Sequence, residues 1–287
     1  MHFVDAKGIL SAQNGMNLYR GCTHGCIYCD TRSTCYGFDH AFEDICVKQN
    51  APDLLRKSLK SKRRRCMIGT GAMCDPYLPL EESLGLTRKC LEIIAEEEFG
   101  LSIQTKSNLI LRDLDLLQEI NKKAKCVVSM TMTTYDETLC QVLEPNVCTT
   151  RERFEVLKTL RDADIPTVVW LTPILPHIND THDNLYGLLE YCKEANVWGI
   201  ICYGMGLTLR EGNREYFYAA LDHNFPGLKE QYQAEFGDAY VVMSSRNATL
   251  MRAFYRYCHQ NKIVSDAKVV FSYLQEFPQT EVQLSLF

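Results

Sequence analysis

The chain has 287 residues, 46% hydrophobic and 23% charged, with 16 Gly and 9 Pro, a composition that supplies a sizeable core and excludes a disordered or fibrous protein. Its net charge of −5 excludes a generally basic nucleic-acid-binding surface, though not a local one. The longest apolar stretch, Ile165 to Leu175, is broken by Pro166 and Pro173 and falls short of the ~20 residues that span a bilayer; the opening MHFVDAKGIL does not read as a secretory signal, so a cytoplasmic protein without a membrane partner is expected.

Short apolar, β-branched runs at about 15–20, 66–71, 101–105, 126–132, 166–172 and 197–203 predict six strands. Amphipathic stretches at about 52–61, 80–98, 112–123, 150–163, 180–195 and 213–223 predict helices between and after them. Pro52, Thr150 and the pair Asp180 and Thr181 mark helix starts. Such alternation implies parallel strands joined by right-handed crossovers, an α/β fold that is either a doubly wound sheet or an incomplete barrel. The alternation stops near residue 225, and Ala248 to Lys262 with Lys268 to Leu274 predict a mostly helical C-terminal extension over 226–280, followed by a tail, 281–287.

Fourteen cysteines without a signal peptide predict thiols or metal ligands, because the cytosol keeps disulfides reduced. Cysteines inside apolar runs, such as Cys126 and Cys202, read as small core residues. Cys22, Cys26 and Cys29 instead share the loop Cys22-Thr-His-Gly-Cys26-Ile-Tyr-Cys29 after the first strand. Three soft ligands so spaced suit an iron–sulfur cluster or zinc. A structural zinc site closes with four ligands, and only His24 and the more distant Cys35 stand near as a fourth donor. A [4Fe–4S] cluster on three cysteines leaves one iron open to a substrate or cofactor.

The spacing C-x3-C-x2-C with Tyr28 before the last cysteine resembles the signature of the radical S-adenosylmethionine superfamily. Further phrases resemble the spore photoproduct lyase-like branch. They are Asn17-Leu-Tyr-Arg20, Gly69-Thr-Gly-Ala-Met-Cys-Asp-Pro-Tyr77, Thr105-Lys-Ser107, Ser129, Glu144-Pro145 ahead of Arg153, and Pro173-Ile-Leu-Pro-His-Ile-Asn-Asp180. The resemblance implies a partial (βα)6 barrel over 1–225 holding a [4Fe–4S] cluster and S-adenosylmethionine, with an external electron donor and a monomeric chain. It implies that Tyr28 reaches the adenine by its backbone, that Lys106 neutralises the methionyl carboxylate, and that Asp75 and Ser129 line the same ligand. The hydrogen-donating cysteine of spore photoproduct lyase aligns with Ala72, while Cys74 stands beside Asp75 as a candidate donor or as a polar contact to the cofactor.

The chain ends Gln283-Leu284-Ser285-Leu286-Phe287, which resembles the bacterial sliding-clamp-binding pentapeptide. The same residues also alternate as an edge strand would. Clamp binding implies work on DNA, consistent with a basic run that includes Lys62, Arg63, Arg64 and Arg65, read either as a phosphate-contacting patch or as a solvated helix end. The leading expectation is a radical enzyme acting on damaged or modified DNA. A radical enzyme acting on protein, RNA or a small molecule, and a non-enzymatic iron–sulfur binding module, are the alternatives.

Overall fold

A computed structural model of the chain describes residues 1–278. Strands β1 (His2–Val4), β2 (Gly15–Met16), β3 (Tyr19–Arg20) and β4 (Cys46–Lys48) precede helix α1 (Ala51–Ser61). β5 (Met67–Thr70) leads through the short α2 (Glu81–Leu84) to α3 (Leu86–Glu96), and β6 (Gly100–Thr105) through a 3-10 turn to α4 (Leu114–Lys123). β7 (Cys126–Thr131) is followed by α5 (Glu137–Leu143) and α6 (Thr150–Asp162), then β8 (Thr167–Trp170) by α7 (His182–Glu194). β9 (Gly199–Ile201), β10 (Gly206–Thr208), α8 (Asn213–Asn224), α9 (Leu228–Phe236), β11 (Val241–Met243), α10 (Asn247–Gln260) and α11 (Ala267–Gln275) follow.

Six strands form one parallel sheet in the order β2-β5-β6-β7-β8-β9. Because the strand order runs on without a reversal, the sheet is an open, partial barrel with helices outside, the one of the two folds left open by the alternation that the resemblance implies. The pleat sorts the side chains. Ile103, Val128, Met130 and Val169 point outward into the main core with Leu117, Ile120, Leu157 and Leu188 of the surrounding helices. The alternate positions Ser102, Gln104, Ser129, Thr131 and Trp170 line cavities inside the barrel. Helix starts are fixed locally: Thr149 makes a capping box with Glu152 at α6, and Thr181 caps α7.

Three features differ from the sequence expectation. The run 15–20 divides, with Met16 in the main sheet and Tyr19 in a separate sheet ordered β1-β4-β3. The helix expected over 80–98 breaks at Gly85, whose φ of 58° only glycine adopts readily. The C-terminal extension is woven into the barrel at both ends. β11 pairs antiparallel with β10, while Val270 and Leu274 of α11 pack on Val127, Val168 and Ile201 near the strand starts, closing the lower barrel.

Candidate active site

The cysteine loop leaves β3 at Gly21 and is held by backbone bonds from outside itself. Cys22 N donates to Phe42 O at 3.1 Å, Ile27 N to Leu143 O at 3.0 Å, and Asn146 N to His24 O at 3.1 Å. Gly25 turns at φ 71° against Pro145, where a β-carbon would crowd the ring. The connection between α5 and α6 is therefore the loop's clamp. Cys22, Cys26 and Cys29 line one cavity of about 520 Å³ at the C-terminal ends of the strands, where open α/β sheets place their ligands. The opposite lip is the β10–β11 ribbon, with Thr208, Val241 and Met243, and beside it Trp170 and Tyr203.

Burial pushes the Cys22 thiol up to about 12 and raises Cys26 as well, while Lys106 acts in the opposite direction on both. Lys106 lines the cavity with its Nζ 5.9 Å from the centre of the Tyr28 ring and no carboxylate in ion-pairing reach among the described residues. Burial works against its charge, but Cys26 and Glu144 outweigh that and hold its pKa above the ordinary lysine value. A retained cation facing a cavity is a site for an anion. Behind it, the buried Tyr28 hydroxyl donates to Glu144, whose other oxygen meets Arg153 Nη1 at 2.5 Å in an ion pair with both side chains 0% exposed. Arg153 also donates to the carbonyls of Thr131 at 3.1 Å and Cys148 at 2.7 Å, joining β7 to the cysteine loop.

Asp75 is a brace. Its Oδ1 accepts from Tyr77 N at 2.9 Å and Thr105 Oγ1 at 2.7 Å, and its Oδ2 accepts from Lys106 N at 2.8 Å with His24 Nδ1 3.6 Å away. With both oxygens engaged by the protein, Asp75 fixes Lys106 and His24 and reaches a ligand through them. Cys74 lines the cavity and its Sγ donates to Gly21 O at 2.7 Å. Ser129 lies lower in the barrel than the sequence implied, in a second cavity of about 560 Å³ that shares Ala72, Gln104 and Trp170 with the first. The pleat carries Thr131, two residues on, into the upper cavity at the level of the cysteines. Cys35 is exposed against Arg210, at 3.2 Å, and does not line the cavity.

The basic run lies at the other end of the molecule. Lys62 to Arg65 connect α1 to the start of β5, at the strand ends opposite the cysteine loop. Arg65 pairs with Glu98 at 2.6 Å and the neighbouring Arg56 with Glu96 at 2.5 Å, while Lys62 Nζ donates to Asn14 Oδ1 at 2.6 Å. Glu96 at the end of α3 and Glu98 just beyond it answer Arg56 and Arg65, while Arg63 and Arg64 are exposed with no carboxylate partner among the described residues. Gln283 to Phe287 lie outside the described residues.

Thr131, Gln104, Trp170 and Tyr203 were not singled out from the sequence, although period-two alternation from Ser129 points to Thr131. Among the described residues no three His, Cys, Asp or Glu side chains converge on a single-ion site. The donor set nonetheless fits a cluster with an open iron, since three thiols line one cavity with a cation that has no carboxylate in ion-pairing reach among the described residues. Together these define a partial-barrel enzyme that presents an iron–sulfur ligand set to a substrate cavity.

The chain belongs to the Radical SAM superfamily, whose family model matches residues 16–189. Its cofactors are a [4Fe–4S] cluster and S-adenosylmethionine. An uncharacterized protein of Mycobacterium tuberculosis (strain ATCC 25618 / H37Rv) is 29% identical over 229 residues, 76% of this chain and 65% of the relative, so the chain spans somewhat less than two thirds of that protein. An uncharacterized protein of Methanocaldococcus jannaschii is 33% identical over 179 residues, 62% of this chain and 66% of the relative. In fold the chain is similar to a variant of spore photoproduct lyase with bound AdoMet and dinucleoside spore photoproduct, at a TM-score of 0.63 and 14% identity, covering 88% of this chain and 74% of that one. No helix among the described residues is long and apolar enough to cross a membrane.

Proposed function

We propose that this radical S-adenosylmethionine enzyme acts on a damaged or modified nucleotide of DNA and is recruited by a clamp-binding peptide at Gln283 to Phe287. The observation that carries the reading is one cavity joining the thiols and Lys106 to an aromatic lip. Tyr203 is 60% exposed there, beside the half-buried ring of Trp170. A flat base has a surface to stack on, and a damaged base costs least to extrude from its duplex. The fold shared with an enzyme solved with a dinucleoside lesion supports the same reading.

When bound, the cluster and S-adenosylmethionine supply one-electron cleavage of the sulfonium to methionine and a 5′-deoxyadenosyl radical, with the electron from an external donor. Cys22, Cys26 and Cys29 hold the cluster, and Lys106 neutralises the methionyl carboxylate. Glu144 and Arg153 fix the Tyr28 wall, and Asp75 positions Lys106. Cys74, the cavity thiol outside the ligand set among the described residues, is assigned hydrogen donation to the substrate. The test is anaerobic incubation of cluster-loaded protein with S-adenosylmethionine and irradiated duplex DNA, unirradiated DNA, RNA or peptide. Deoxyadenosine that rises above the substrate-free rate with irradiated DNA alone is expected. A rise with RNA or peptide, or with none of the four, refutes the DNA reading.

A further inference from the structure

From Val241 to Ser265 the chain carries Arg246, Arg252, Arg256 and Lys262 and not one Asp or Glu. All four are exposed, in a protein whose net charge is −5. None is in an ion pair with a carboxylate of the described residues. Arg246 Nη1 reaches the Asp180 carbonyl at 3.4 Å and Arg252 Nη2 the Thr249 hydroxyl at 3.4 Å. Arg56 and Arg65 are neutralised by glutamates, and the unpaired Arg63 and Arg64 lie between α1 and the start of β5, at the strand ends away from the cavity.

Helix α10 arranges this charge. Leu250, Phe254, Tyr257 and Cys258 face inward, where Tyr257 OH donates to Glu190 of α7 at 2.7 Å. Arg252, Tyr255, Arg256 and His259 occupy the opposite, exposed face, with Tyr255 50% exposed. The helix begins at the cavity: Met243 lines the lip, Ser244 Oγ donates to Asp180 at 2.5 Å, and Arg246 comes next. It then descends the barrel wall, because Val264 just beyond its end bridges to Gly199 at the start of β9.

We propose that the exposed face of α10 holds the phosphate backbone of the DNA strand whose reacting nucleotide enters the cavity; the inference rests on the DNA reading above. An acid-free cationic segment, with Arg246 at the mouth of the site and Arg252 and Arg256 further along the exposed face, matches a polyanion entering it. A membrane surface fits less well, since an interfacial helix needs a broad apolar face and Tyr255 is the one large exposed hydrophobic side chain on α10.

The test measures binding of full-length protein to labelled single-stranded DNA over a range of salt. R252Q/R256Q is expected to raise Kd about tenfold and to flatten the slope of log K against log salt by about 1.4, at roughly 0.7 per phosphate contact. R252K/R256K restores both, and R63Q/R64Q changes neither. Cluster content and melting temperature confirm that each variant is folded. If wild type binds DNA and R252Q/R256Q binds equally well, the α10 inference fails and the DNA reading stands. If wild type does not bind DNA, or binds phosphatidylserine vesicles in its place, both fail.

Discussion

Lys106 and Glu144 share a buried neighbourhood and have opposite vulnerabilities. Lys106→Ala leaves Glu144 its ion pair with Arg153, so the melting temperature should fall little, while S-adenosylmethionine affinity falls by a charge-assisted bond worth about 1.5–3 kcal/mol. Titration of the cluster-loaded variant checks this, and unchanged affinity would place the methionyl carboxylate elsewhere. Glu144 is different. Burial raises its pKa, but Arg153 and Lys106 outweigh burial and hold it below the ordinary 4.5. Its contribution to stability is therefore complete above pH 4.5 and is lost as pH falls through the lower folded value. Glu144→Gln leaves Arg153 buried without a counter-charge, at a cost of about 3–5 kcal/mol at neutral pH, and should remove part of the acid-induced loss. Thermal melts from neutral to acid pH test both statements; a variant as stable as wild type at pH 7 contradicts them. The thiols were legible in the sequence because their spacing is local. The Tyr28–Glu144 contact joins residues 116 apart and leaves no periodic trace.

Among the elements, the loop after β5 depends on Gly71, where φ is 99° and a β-carbon would collide with the Gln104 carbonyl of β6. Gly71→Ala should cost about 1–3 kcal/mol and weaken S-adenosylmethionine binding, because Cys74 and Asp75 hang from that turn. Gly69→Ala, with nothing within 4 Å of the added carbon, is the control, and equal losses in melting temperature and affinity for the two would refute the argument. Five of the six parallel strands, β5 to β9, were readable as short apolar, β-branched runs, whereas the run 15–20 divides between two sheets. β10 and β11 were not, since three residues apiece give no pattern and their pairing spans the whole of α8 and α9. Ser129 lines the lower cavity and Thr131 the upper one, a difference in height that sequence matching, which locates only the strand, does not give.

For the whole molecule, charge separates into two kinds: a basic run partly answered by glutamates at the bottom of the barrel, and an acid-free helix beginning at the cavity. Composition alone averages the two. Deleting 279–287 should leave cluster content, melting temperature and deoxyadenosine production intact while abolishing clamp binding, expected on the order of micromolar for so short a peptide. A truncated protein that loses its cluster would make the tail a structural strand and would remove recruitment from the proposed function.

The lip of the cavity is also the last part of the site to be synthesised. The third thiol is in the chain by residue 29, its clamp at Leu143 and Asn146 follows, and β11 ends at residue 243. At about 5–20 residues per second, a ribosome completes the lip on the order of 10–40 s after the last cysteine. The nascent chain thus carries three reduced thiols in a half-built, open enclosure.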